Sequence, residues 1–133
     1  MAGGKQSGFI YGPDQKQKRK HHGSNPFAEI VLQDEVPVGK CPGNMTLEQA
    51  QALLDEGFPF SQKGRGMQGV YAVASDGVLY RAIWTTRGRS LHGFPEQPEK
   101  FPRDLAGKDL KDRLLARAKV LGCETELRVW MRW

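Results

Sequence analysis

The sequence predicts an α+β fold in which a small antiparallel or mixed sheet is packed with two helices. Three observations lead there. Two apolar, β-branched and aromatic runs, 70–74 and 78–84, flank Asp76-Gly77, a dipeptide suited to a tight hairpin turn. Two stretches, about 47–56 and 108–121, repeat apolar residues at the three- and four-residue spacing of helices. The final residues, 125–133, alternate apolar and polar with period two and predict a strand. Strand, helix, hairpin, helix, strand is most economically satisfied by one sheet covered by helices.

In chain order, residues 1–26 carry few large apolar side chains, with only Phe9, Ile10 and Tyr11 clustered, and are rich in Gly, Lys and Gln. They are expected to be a disordered basic tail preceding a single globular domain, 27–133. Lys16, Lys18, Arg19 and Lys20 could hold phosphates or form a targeting patch; a solubilising tail is the equal alternative. His21-His22 lacks a Cys or carboxylate at a useful spacing, so no metal site is assigned. Residues 27–38 predict a short strand ended by Pro37 and Gly39. Thr46 with Gln49 is a capping box opening the first helix, whose Leu47, Ala50, Leu53 and Leu54 share a face and whose end is marked by Gly57. Residues 58–68 read as a basic connecting loop containing Lys63 and Arg65.

If Asp76 and Gly77 are the two turn residues, Ala72 faces Arg81 and Val73 faces Tyr80. Both faces of this hairpin are largely apolar, so Arg81, between Leu79 and Ile83, is a charge aimed where charge is costly. It either serves function, pairs with an Asp or Glu, or guards a sheet edge. A loop holding Thr85, Arg87, Arg89 and His92 follows. Beyond it come a proline-punctuated crossing segment, one helical turn at 104–107, and the second helix, with Leu110, Leu114, Ala118 and Leu121 inward and Gly122 at its end. In the predicted last strand Leu127, Val129, Met131 and Trp133 are core. Arg128, Trp130 and Arg132 then form an outward guanidinium–indole–guanidinium face suited to phosphates and bases, unless Trp130 packs beneath a neighbouring element.

The chain of 133 residues can bury a core without metal or disulfide support. It contains no apolar run near the roughly 20 residues that span a bilayer, and no signal-peptide core, so a cytoplasmic protein with no membrane partner is expected. Cys41 and Cys123 are too few and too separated for a zinc ribbon; free thiols are expected, with one disulfide left open. Net charge divides into +4 over 1–26, −5 over 27–62 and +6 over 63–133. That polarity favours an anionic partner, either nucleic acid, RNA above all, or an acidic protein.

No metal cluster, nucleophile elbow or Cys-His arrangement is recognisable, and no cofactor is implied. Metal-free RNA cleavage needs only a base, a cation and an acid. His92 is the histidine available for it, with Arg81, Arg87 and Arg89 as cations and Tyr80 as a further proton-transfer group. Lys63, Arg65, Arg128, Trp130 and Arg132 are the expected nucleic-acid contacts. A hydrogen-bonded structural role for His92 is the competing reading. Over about 46–133 the element order and these residue types are similar to the compact ribonuclease toxins of bacteria, in which a helical part packs on a small antiparallel sheet whose basic and aromatic residues act on RNA. The resemblance implies a metal-independent ribonuclease; the alternative is a non-catalytic adaptor or inhibitor using an Arg/Trp surface.

Overall fold

The computed structural model describes residues 9–12, 26–43, 45–62 and 64–133, and the class is α+β. The strands are β1 (Ile10–Tyr11), β2 (Glu29–Gln33), β3 (Val36–Lys40), β4 (Phe58–Gln62), β5 (Gly66–Val73), β6 (Leu79–Thr86) and β7 (Ser90–Pro95). The helices are α1 (Leu47–Asp55), α2 (Leu105–Leu121) and α3 (Glu124–Met131), with a short 3-10 turn at Pro98–Lys100. A mixed sheet has the order β1-β7-β6-β5-β4, and β2-β3 form a separate hairpin. β4 to β7 are an antiparallel meander, while β1 joins β7 in parallel.

Both sheet faces are covered because both faces of the central strands are apolar. On one, Phe60, Tyr71, Val73 and Leu79 pack against Leu110, Leu114 and Ala118 of α2 and Leu127 and Met131 of α3. On the other, Val70, Ala82 and Leu91 meet Leu54 of α1, and Tyr80 and Val78 meet Cys41 just beyond β3. Thr46 caps α1 through the expected box with Gln49. Asp104 caps α2, so the single turn expected at 104–107 is the first turn of that longer helix.

Several expectations are corrected. The central hairpin is present, but its register is one residue away: Tyr71 faces Arg81 and Ala72 faces Tyr80. The turn explains the slip. Gly77 N–H donates to Ala74 O, Ala74 N–H to Val78 O, and Gly77 sits at φ 88°, so three residues rather than two form the loop. The stretch 58–68 is two strands and a turn. Pro59 is tolerated within a strand because β4 is the sheet edge. Residues 27–38 belong to a hairpin rather than one strand, with Asp34 and Glu35 both at positive φ in its turn. The loop expected after β6 is a turn followed by β7, so His92 lies on a strand.

The predicted C-terminal strand is helix α3. Cys123, Leu127 and Met131 recur every fourth residue and are buried, whereas Val129, assigned to the same strand face, is 74% exposed. A nine-residue stretch satisfied both periods, and helix won because Gly122, in the left-handed conformation, ends α2 and turns the chain back along it. Glu124 and Glu126 in the first turn and a Glu124–Arg128 pair at 3.1 Å support the helix. Within the stretch expected as a disordered tail, residues 9–12 include a strand on the sheet; 1–8 and 13–25, with Lys16, Lys18, Arg19, Lys20 and both tail histidines, lie outside the described residues.

Candidate functional site

Strand alternation places Tyr71, Arg81 and Phe94 in one row across β5, β6 and β7, on the face that carries α2 and α3. Glu96, just past β7, donates its backbone N–H to Leu79 O and turns its side chain toward the same face. Its carboxyl is fully buried, and Arg81 Nη1 stands 3.9 Å from Oε2. Arg81 also donates from Nη2 to Gln68 O at 3.0 Å, and its guanidinium lies 5.8 Å from the Tyr71 ring centre. The arginine stem crosses Gly69, where a Cβ would come within 3.1 Å of Arg81 Nε, so a side chain at 69 would displace it. The inward charge on β6 therefore has a carboxyl partner.

Burial raises the Glu96 carboxyl above the ordinary carboxylate range, while Arg81, the Gln97 N–H, Tyr71 and Lys100 pull it back down. The Tyr71 hydroxyl is pushed up by its own burial and by Glu96. Among the described residues, Arg81 Nε and Glu96 Oε2 are buried without a hydrogen-bond partner. The ion pair is thus held but not saturated. Neither Glu96 nor Tyr71 stood out in the sequence; the signal was that an inward Arg81 requires a counter-charge, and Glu96 continues the inward period of His92 and Phe94.

His92 faces Ile83 and lies diagonal to Arg81 on this same sheet face. Thr85, at an irregularity between Trp84 and Thr86, brings its hydroxyl to 2.7 Å from His92 Nδ1. Arg87 and Arg89 are exposed in the β6–β7 turn. The β4–β5 turn, carrying exposed Arg65, is at the same end of the sheet, about 10 Å away by strand spacing. His92, Arg81, Arg87, Arg89 and Arg65 thus share one end or one face. Lys63 lies outside the described residues. Tyr80 does not join them: it is on the opposite face, buried beside Cys41 and Val78, and burial raises its hydroxyl pKa.

The segment after Glu96 crosses the α2/α3 face and is pinned at its far end, where Gln62 Nε2 donates to Asp104 Oδ2 at 3.1 Å. Between this segment, the first turns of α2 and the residues after α3 is an open cleft of about 560 Å³. Arg103, Lys108, Lys111 and Arg132 line it, with Glu99 as its one acidic lining residue. Trp133 and Phe101 supply aromatic surface, ring centres 5.1 Å apart and nearly perpendicular, and Lys111 Nζ lies 5.1 Å from the Trp133 ring centre. The sequence pattern hid this cluster by assigning Trp133 to a strand core.

The expected guanidinium–indole–guanidinium face does not exist, because residues 128, 130 and 132 diverge around a helix. Arg128 pairs with Glu124, and Arg132 Nη1 pairs with Glu99 at 3.2 Å on the cleft rim. Trp130 packs inward and donates from Nε1 to Glu96 O at 2.9 Å. Cys41 and Cys123 are buried free thiols on opposite sides of the sheet, which precludes a disulfide between them. Among the described residues no three His, Cys, Asp or Glu are grouped to hold a metal ion, and no helix is long and apolar enough to cross a membrane. No protein-family model, curated protein or solved structure matches the chain.

Proposed function

We propose that the protein binds single-stranded nucleic acid, RNA in the first instance, along the basic end of its α2/α3 face. The observation that carries this reading is the cleft in which Arg103, Lys108, Lys111 and Arg132 surround Trp133. A cation-lined groove with an aromatic ring at its wall suits phosphates and one stacked base together. Asp104, bonded to Gln62, ties the mouth of the cleft to the end of β4, next to the turn bearing Arg65, and the Arg87/Arg89 turn follows at the same sheet end. A strand leaving the cleft in that direction passes Arg65 and then Arg87 and Arg89.

For cleavage, His92 is the proton acceptor within this arrangement, with Arg81 on its face and Arg87 and Arg89 in the turn at that end of the sheet; Tyr80 has no part. The decisive measurement is anisotropy of a labelled oligouridylate over a range of salt, in chelator, with the RNA recovered and sized afterwards. Binding is expected to weaken steeply with salt, and Lys108→Ala with Lys111→Ala should shallow the log–log slope by about 1.4, at about 0.7 per lost phosphate contact on a single strand. An unchanged slope in that variant would remove the cleft from the binding surface. A shallow slope in the wild type would favour an acidic protein partner instead. His92→Ala is expected to stop any cleavage while leaving the salt slope intact.

A further inference from the structure

The edge of β7 is occupied by a segment that sits there as a bound peptide would. Ile10 and Tyr11 pair in parallel with Ser90 and Leu91, and Gly12 N–H donates to Leu91 O at 2.7 Å. The other side of this short strand is read by one side chain of α1. Gln51 Oε1 accepts from Tyr11 N–H at 2.8 Å, and Gln51 Nε2 donates to Phe9 O at 3.0 Å. Asp55 Oδ1, also accepting from Gln51 Nε2 at 2.9 Å, holds that amide in orientation. Main-chain groups are therefore matched on both sides, which is how added strands are recognised.

Side chains alternate accordingly. Phe9 meets Trp84 edge-on with ring centres 6.0 Å apart, Ile10 is 63% exposed, and Tyr11 enters a pocket lined by Met45, Leu54, Val70 and Ala82. Tyr11 does not fill it: about 30 Å³ remains at its side, room for one water molecule. A two-residue ladder with an incompletely filled anchor is a weak hold compared with the meander beside it.

We propose that the β7 edge and the Gln51 side of α1 form a peptide-binding groove for an extended strand with aromatic residues two apart, aromatic-x-aromatic-Gly, and that residues 9–12 occupy it in cis as a displaceable plug. A partner strand of that pattern displaces the plug, taking the Gln51 amide, the Ser90–Leu91 ladder, the edge of Trp84 and the Tyr11 pocket. The plug, being part of the same chain, competes at high effective concentration, so the groove responds only to a partner that is abundant or fills the Tyr11 pocket better.

The test uses the full chain with Phe9→Ser and Tyr11→Ser, which removes the contact with Trp84 and vacates the Tyr11 pocket, and a fluorescent peptide Ser-Gly-Phe-Ile-Tyr-Gly copied from residues 7–12. The peptide is expected to bind this variant at least about tenfold more tightly than the wild type. Adding Gln51→Leu should abolish the gain. No binding to a variant that keeps its cooperative melt, or binding indifferent to Gln51, overturns the proposal. Should the variant not fold, hydrogen exchange on the wild type decides: excess peptide should release the amides of Tyr11 and Gly12 while those of Tyr71 and Arg81 in the β5–β6 ladder stay protected, and unchanged protection overturns it. A wild-type dimer that vanishes in the Ser variant would assign the groove to a second copy instead and overturn the proposed partner.

Discussion

Replacing Arg81 with Met removes the cation facing Glu96 without removing bulk. Breaking a buried pair from one side costs about 3–5 kcal/mol, and the low end applies here because the separation is 3.9 Å and the Arg81 side chain keeps 24% of its exposure. Near pH 8 a loss of about 3 kcal/mol is expected, or roughly 12 °C in Tm at about 4 °C per kcal/mol. The loss depends on pH with a definite sign. Because burial raises the folded-state pKa of Glu96 above its ordinary 4.5, the unfolded chain releases this proton first as pH rises. Stability then falls by up to about 1.4 kcal/mol per pH unit from pH 4.5 up to the folded pKa, and is level above it. Arg81 opposes that rise, so Arg81→Met carries the falling window further upward, and the gap between variant and wild type widens from acid to alkaline pH. Glu96→Gln should flatten the profile, and the double variant should regain most of what Arg81→Met lost. Urea unfolding at half-unit pH steps reads all of this. A cost for Arg81→Met that is constant between pH 5 and 8, or strictly additive with Glu96→Gln, would refute the coupling.

Helix α3 is tested by a pair of substitutions: Leu127→Ala should cost about 2–5 kcal/mol in chemical denaturation, while Val129→Ala, on the same face of a strand but not of this helix, should change little. Gly69→Ala places a methyl against Ala82 O and Arg81 Nε; we expect a loss of about 1–3 kcal/mol by thermal melting, diminished when Arg81 is already Met. Trp130→Phe removes the donor to Glu96 O and should lower stability by about 1 kcal/mol, read from the urea midpoint, with no effect on RNA affinity.

What could be read from the chain followed the strength of local signals. The capping box, Gly122 and the apolar runs around Asp76-Gly77 are short-range features, and each specified its own element. The hairpin register was lost to a single residue in the turn, since Asp76-Gly77 serves two-residue and three-residue loops alike and only the flanking strands decide between them. Residues 125–133 were misread because their apolar positions fit both periods, and the choice rests on packing against α2, which no local pattern contains. The site was less legible. Arg81 was identifiable as a buried charge from its neighbours on β6, but Glu96 lies outside the hairpin and meets it only through the β6–β7 pairing. Arg103, Lys108, Lys111 and Trp133 come from three separate segments, and the crossing segment after Glu96 that gathers them has no periodicity of its own.

The parallel pairing of β1 has a consequence for the order in which the chain assembles. Strands β4 to β7 are joined by short turns and can zip as neighbours, whereas Tyr11 and Gly93 make contact across 82 residues of sequence. Closing so distant a contact costs chain entropy that the two-residue ladder can scarcely offset before its edge strand exists. The meander should therefore form first and β1 last, so that pulse-labelled amides of β5 and β6 gain protection well ahead of Tyr11 and Gly12. Substitutions in Phe9 and Tyr11 should then accelerate unfolding while leaving the folding rate almost unchanged.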